Sequence, residues 1–336
     1  MVIAVDAFGS DNAPFVEVAG AVKAVKKNIC SKILLVGKKD VLTAELEKLG
    51  FAKNPKIEIV DATEVISMND LPARAFKKKR DSSLVKAVEL VRNKKADAVV
   101  SAGNTGAVMS ISLFLYGRIK NISRPAIASV FPSLKKPSVV IDVGANVDSK
   151  PHNLVQSAIL GSLYSSHYLK INKPRVSLFN IGEEEKKGNE LTREAYQLLK
   201  KEKKINFIGN IEGKELFLGK SDVIVCDGFT GNVVLKTAEG TVGFLYKLVK
   251  RLLKKNPITI FGLPFFIPIL LYAKKNLSPS KHGGALLTGL DGVSIIAHGS
   301  SNSTAIKNAI VLAKKVVDSG FIDDTKEFFQ KRSSKI

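Results

Sequence analysis

Eight short runs of β-branched and aliphatic residues recur along the chain: VIAVD (2–6), KILLVG (32–37), IEIVD (57–61), DAVVS (97–101), SVVIDV (138–143), RVSLFNI (175–181), DVIVCD (222–227) and VSIIAH (293–298). Between them lie stretches of helical periodicity at 82–94, 104–117, 151–169, 190–203, 231–254 and 303–318. Strands alternating with helices build an α/β fold on a mostly parallel sheet. The runs are almost unbroken hydrophobes, the pattern of strands covered by helices on both faces. At 336 residues, 45% of them hydrophobic, the chain has ample material for a core, and no linker or repeat divides residues 1–336 into parts.

Six of the eight strand runs are followed by a small, polar, glycine-bearing exit: DAFGSDNAP, SAGNTGA, DVGANVDSK, NIGEEEKKGN, CDGFTGN and AHGSSNS. Open α/β sheets bind ligands beyond the carboxyl ends of their strands, where helix N-termini present free N–H groups to anions. Glycine and asparagine also serve tight turns for purely conformational reasons. Six such exits together favour a site, and one polar basin is expected to gather several of them.

Several chemistries are not indicated. The dinucleotide fingerprint GxGxxG and the nucleophile elbow GxSxG are absent, and GKELFLGKS (213–221) has the wrong spacing for a P-loop. The two cysteines, Cys30 and Cys226, have no metal spacing and suit a reducing cytoplasm. Cys226 lies inside an apolar run, where an inert buried thiol is favoured over a catalytic one. The N-terminus lacks the basic and hydrophobic regions of a secretory signal.

With 52 Lys+Arg against 31 Asp+Glu the net charge is +21, a field that draws polyanions. Nucleic acid is not expected, because the lysines are scattered, Trp is absent and no recognition motif is present. Residues 257–273, PITIFGLPFFIPILLYA, carry no charge, yet lysines and Arg251 bracket them. The segment is short for a membrane span, which takes about 20 apolar residues, and Pro264 and Pro268 kink any helix in it. A core hairpin, a dimer interface and an element dipping into an anionic membrane surface all fit. Its prolines and flanking cations favour the last, with Phe261, Leu263, Phe265 and Phe266 as contacts in an insertion at about 256–276.

The strings SAGNTGA, DVGAN, NIGEEEKKGNELT, INFIGNIEG, CDGFTGNVVLKT and HGSS, in this order, resemble the bacterial phosphate acyltransferase family, PlsX. The resemblance spans nearly the whole chain. It implies a three-layer αβα sandwich like that of isopropylmalate dehydrogenase and phosphotransacetylase, in a homodimer. It also implies transfer of a long acyl group from acyl carrier protein to inorganic phosphate, giving acyl phosphate for phospholipid synthesis. A membrane glycerol-3-phosphate acyltransferase would collect that product, which suits a cytoplasmic protein held peripherally at the membrane. Two stretches depart from the family pattern. Phe8, Ser10 and Asn12 stand where DAMGGDHAP is usual, and His282 opens HGGALLTG in place of YGGAPLLG.

Attack of phosphate on a thioester needs no protein nucleophile, only positioning and neutralisation of charge. Lys187 is expected to face the phosphate and Asn232 to hold the thioester carbonyl oxygen, with Asp227 orienting a lysine or a donor. Asn104, Thr105, Gly106, Thr230, Gly231, His298, Ser300 and Ser301 are the expected substrate and phosphate contacts. Simpler roles compete: a salt-laced surface turn for Lys187, helix capping for Asn104 and Thr105, and a structural histidine for His298. No metal or other cofactor is expected, since the strand-exit aspartates follow no ligand spacing. A short-chain acyl-CoA phosphate acyltransferase, a decarboxylating dehydrogenase and a non-catalytic basic membrane-binding scaffold are the rival readings.

Overall fold

Within residues 1–255 and 283–333, which the computed structural model describes, eleven strands pair into one sheet. They are β1 (Val2–Asp6), β2 (Lys32–Gly37), β3 (Ile57–Asp61), β4 (Ala98–Ser101), β5 (Ala126–Phe131), β6 (Ser138–Ile141), β7 (Arg175–Phe179), β8 (Asn206–Ile211), β9 (Val223–Val225), β10 (Ala285–Thr288) and β11 (Val293–Ile296). Across the sheet their order is β3-β2-β1-β4-β11-β10-β5-β6-β9-β7-β8. The described helices are α1 (Phe15–Lys26), α2 (Lys39–Lys48), α3 (Pro72–Lys78), α4 (Ser83–Arg92), α5 (Thr105–Tyr116), α6 (Pro151–Tyr164), α7 (Glu190–Lys201), α8 (Gly228–Lys255), α9 (Ser303–Asp318) and α10 (Phe321–Ser333). The apolar segment 257–273, with Phe261, Leu263, Phe265 and Phe266, lies outside the described residues.

A strand sends successive side chains to opposite faces. In β1, Ile3 and Val5 join the core shared with α1, α6, α7 and α9, while Ala4 joins the core shared with α3, α4 and α5. Val139 and Ile141 of β6 divide from Val140 in the same way. Both faces of the sheet are therefore dry, which explains the continuous hydrophobic runs and gives three layers. Asparagine side chains begin three of the helices, at Asn104, Asn189 and Asn302. Each accepts a hydrogen bond from a first-turn N–H that has no helical partner.

The strands do not all point one way. β3, β2, β1, β4 and β11 form one parallel block, and β6, β9, β7 and β8 form another. Antiparallel ladders from β11 to β10, β10 to β5 and β5 to β6 separate them, so the second block runs opposite to the first. The glycine-bearing exits consequently fall into two groups at opposite ends of the strands, rather than into the single basin expected from the sequence. Two of the three ladders are hairpins, turning through Pro132–Pro137 between β5 and β6 and through Gly289–Gly292 between β10 and β11, and the long-range pairing of β10 with β5 supplies the third change of direction.

α1 and α9 cross in close contact at Gly20. A Cβ on Gly20 would lie 2.6 Å from Ile306 Cβ and 3.0 Å from the Ser303 carbonyl oxygen. Gly20→Ala is expected to destabilise the protein by about 2 kcal/mol, the scale of an overpacked core. Thermal melting checks this, and an unchanged Tm would mean that α9 yields without cost.

Candidate active site

The exits of β1, β4 and β11 form a first cluster. Asp6 is buried and accepts from Phe8 N at 3.3 Å and Ser101 Oγ at 2.7 Å. Burial pushes its pKa up, and these donors, with Ser83, pull it back. Ser101 Oγ accepts from Gly103 N at 3.1 Å, and a Cβ on Gly9 would lie 2.7 Å from that same nitrogen. Asp11 N donates to Gly299 O at 2.9 Å, which brings in the loop after β11. Asn104 caps α5 by accepting from Ala107 N at 3.0 Å, and its Nδ2 donates to Met68 O and Asp70 O at 2.9 and 3.1 Å. Both ends of that side chain are thus engaged in structure. Gly106 packs on Pro72, and Thr105 is exposed in the first turn.

Under the first loop lies a carboxyl group that no motif announces. Glu17, in the first turn of α1, is fully buried and accepts from Ser10 N through Oε1 at 3.1 Å. Its Oε2 and the Ser10 Oγ have no partner among the described residues. Burial raises its pKa to about 7, and the nearby Asp6 charge adds to the rise.

The exits of β6, β7 and β9 form the second cluster. Asp142 accepts five hydrogen bonds, from Ile127 N, Gly144 N, Ala145 N, Asn146 N and Asn146 Nδ2, at 2.8 to 3.1 Å. α8 starts hard against this loop. A Cβ on Gly228 would lie 2.7 Å from Asn146 N and O, and one on Gly231 would collide with the Asp142 carbonyl. Asn232 follows, its side chain in contact range of Gly144. Asp227 is the cap of α8: it accepts from Thr230 N at 2.9 Å and Thr230 Oγ1 at 2.7 Å, so it orients Thr230 rather than a lysine. In the β7 exit, Asn180 Nδ2 donates to Lys187 O at 3.0 Å. Glu183 pairs with Lys220 and Glu185 with Lys200, while Lys187 is exposed with no carboxylate partner among the described residues.

α8 joins the clusters. In its third turn Lys236 places Nζ 3.0 Å from His298 Nε2, beyond β11. Glu239 Oε2 lies 3.1 Å from Lys236 Nζ and 3.8 Å from His298 Nε2. His298 Nδ1 accepts from Ser300 N at 3.1 Å, with Ser300 Oγ at 2.8 Å. A backbone N–H only donates, so the proton of the neutral ring sits on Nε2. Ser301 is buried, and its N–H donates to His298 O at 2.9 Å. The structure therefore unites Asn232, Thr230, Gly231, His298, Ser300 and Ser301 through α8. It uses Asn104 and Asp227 as caps and leaves Lys187 on its own loop. Neither Lys236, which lies within CDGFTGNVVLKT, nor Glu239 is among the site residues expected from the sequence, yet their spacing of four and seven from Asn232 puts all three on one helix face.

Glu17 supplies a test of this region's electrostatics. Its pKa is about 7 in the native state against 4.5 as the ordinary value. Between those values the native state holds the extra proton, so stability falls as pH rises and the loss is complete above about 7. The shift corresponds to roughly 3 kcal/mol. Glu17→Gln is expected to melt well above the parent protein at pH 8 and alongside it at pH 4.5. A constant difference across that range would detach Glu17 from the pH dependence.

A family model described as "Fatty acid synthesis protein" matches residues 1–324. A phosphate acyltransferase of Halothermothrix orenii is 48% identical over 332 residues, covering 98% of this chain and 99% of its own. Another from Dictyoglomus turgidum is 48% identical over 318 residues, covering 94% of each. Among solved structures, a phosphotransacetylase from Streptococcus pyogenes superposes with a TM-score of 0.63 at 17% identity, covering 95% of this chain and 94% of its own. A branched-chain phosphotransacylase from Enterococcus faecalis V583 does so with 0.57 at 14%, covering 95% and 99%. These two likenesses speak for the fold, the layered α/β architecture described above. The sequence relatives, aligned almost end to end, say more: the chain belongs to the phosphate acyltransferase family.

Proposed function

We propose that the chain transfers a long-chain fatty acyl group from acyl carrier protein to inorganic phosphate, supplying acyl phosphate to phospholipid synthesis. Family membership gives the reaction class. The observation that carries the long-chain reading is an apolar rim on the second cluster. Val147 and Ile181, on the exits of β6 and β7, and Phe229 and Val233, in the first two turns of α8, are 63%, 80%, 61% and 50% exposed, on the same elements that hold Lys187 and Asn232. Each buried CH2 of an acyl chain gains about 0.8 kcal/mol, so such a rim rewards a long chain and is of little use to a short one.

A phosphate oxygen attacks the thioester carbonyl carbon, the C–S bond breaks, and the proton given up by phosphate ends on the departing thiolate. No bond to the protein forms. Lys187 meets the phosphate and Asn232 holds the carbonyl oxygen as negative charge grows there. The net charge of +21 suits an acidic carrier protein as donor. Segment 257–273 brings the protein to the cytoplasmic membrane surface, where the product passes to a membrane glycerol-3-phosphate acyltransferase. No helix among the described residues is long and apolar enough to cross a membrane.

The deciding experiment is discharge of palmitoyl-acyl carrier protein by purified protein, with and without phosphate and with no nucleotide or CoA. Phosphate-dependent release of carrier thiol, with a hydroxylamine-trappable acyl product, is expected. Discharge of acetyl-CoA instead would favour the short-chain reading, and no discharge of either would favour the scaffold. Lys187→Ala is expected to keep its Tm and lose about 100-fold in turnover, the scale of one preorganised charge donor. Near-normal turnover would remove Lys187 from the site.

The same reading includes a homodimer, and α8 supports it. Val242, Leu245, Val249 and Leu252 are exposed at spacings of three and four, with Phe244 and Leu248 beside them, an apolar surface on the outer part of a helix whose Val234, Leu235 and Ala238 pack against the core. Light scattering should report a dimer, and Leu245→Lys with Val249→Lys should give a monomer. A dimer that survives both changes would place the interface elsewhere.

A further inference from the structure

The contact between α8 and the loop after β11 brings two donors face to face. His298 is fixed by its own loop, Nδ1 accepting from Ser300 N, so Nε2–H is the edge left to act. Lys236 Nζ stands 3.0 Å from that edge. Two donors cannot satisfy one another, and among the described residues the acceptor beside both is Glu239 Oε2, 3.1 and 3.8 Å away. All three side chains are open to solvent, at 54%, 49% and 25% exposure. Paired donors with one flanking carboxylate form a pattern that only certain anions complete.

The geometry points to Lys236, His298 and Glu239 as a subsite selective for inorganic phosphate, with Glu239 as the specificity determinant. This deepens the acyl-transfer reading above and rests on it for the identity of the nucleophile. Two phosphate oxygens accept from Lys236 Nζ and His298 Nε2. The remaining P–OH donates to Glu239, a group that accepts and cannot donate when ionised. Inorganic phosphate keeps a P–OH at neutral pH. Sulfate has no such proton, and a phosphate monoester, whose second pKa is about 6, has mostly lost its own. Either one places bare oxygen against the carboxylate and is repelled. The subsite thus separates free phosphate from sulfate and from esterified headgroups.

Binding of inorganic phosphate to the full-length protein, followed by calorimetry without acyl donor and with sulfate or glycerol phosphate as competitor, tests this. Phosphate is expected to bind at least tenfold more tightly than either competitor. Lys236→Met should lose tenfold or more of phosphate affinity. Glu239→Gln should narrow the phosphate-to-sulfate ratio by tenfold or more, and Glu239→Asp should narrow it as well. All three positions are on the surface, and thermal melting confirms folding. Sulfate binding as tight as phosphate, no phosphate binding, or an unchanged ratio in both Glu239 variants overturns the subsite. Because no acyl donor is present, failure of acyl transfer with selectivity intact would sink only the proposed reaction.

Discussion

The buried carboxylate of Asp142 is the fixed point from which the second cluster hangs. It draws in the Ile127 N–H from β5, three successive N–H groups of its own loop and the Asn146 amide, and Asn146 Nδ2 also reaches Pro125 O at 2.6 Å. Burial raises its pKa while these donors work in the opposite sense. A residue unable to accept there would leave several N–H groups buried without partners, each costing about 1 to 3 kcal/mol. Once the loop is pinned, its backbone is close enough that only glycine fits at 228 and 231, and the start of α8 has one place to lie.

The reversal in the sheet makes that placement matter. In a uniformly parallel sheet all polar exits would share one side, and no long helix would be needed to join them. Here three antiparallel ladders turn the second block over, and the loops of β6, β7 and β9 leave from the far end of the strands. α8 spans the gap by carrying Lys236 to His298. The candidate site is accordingly assembled by one helix from the loops of both parallel blocks, rather than from the loops of one.

Much of the layer structure was legible because burial on both faces leaves a strong signature. All eight runs correspond to strands, and the helix at 303–318 matches to the residue. β5, β8 and β10 are not among them. AIASVF is interrupted by Ala128 and Ser129, ALLT is only four residues long, and NFIGNI is broken by Gly209 and Asn210, so none is an unbroken hydrophobic run. Those omissions include the strands that reverse the sheet, so the error of one basin followed from them. At the site, residue types in loops were readable, but their division of labour was not. Asn104 and Asp227 look alike as polar loop residues whether they cap a helix or touch a substrate. Their bonds to Ala107 N and Thr230 show the capping. Glu17 was invisible because nothing in FVEVAG says that the one carboxylate faces inward.

α8 is also a mechanical object. At 28 residues and 1.5 Å per residue it is about 42 Å long, rooted by Gly228 and Gly231. Asn232, Lys236 and Glu239 occupy its inner part. Immediately beyond Glu239 come Gly240 and Gly243, where an added Cβ would meet nothing within 4 Å. Packing does not demand glycine at either position, and in a helix interior each costs roughly 1 kcal/mol relative to alanine. Helical order is therefore held least strongly by its own sequence just past Glu239, and the three side chains sit on the better-rooted part of the helix.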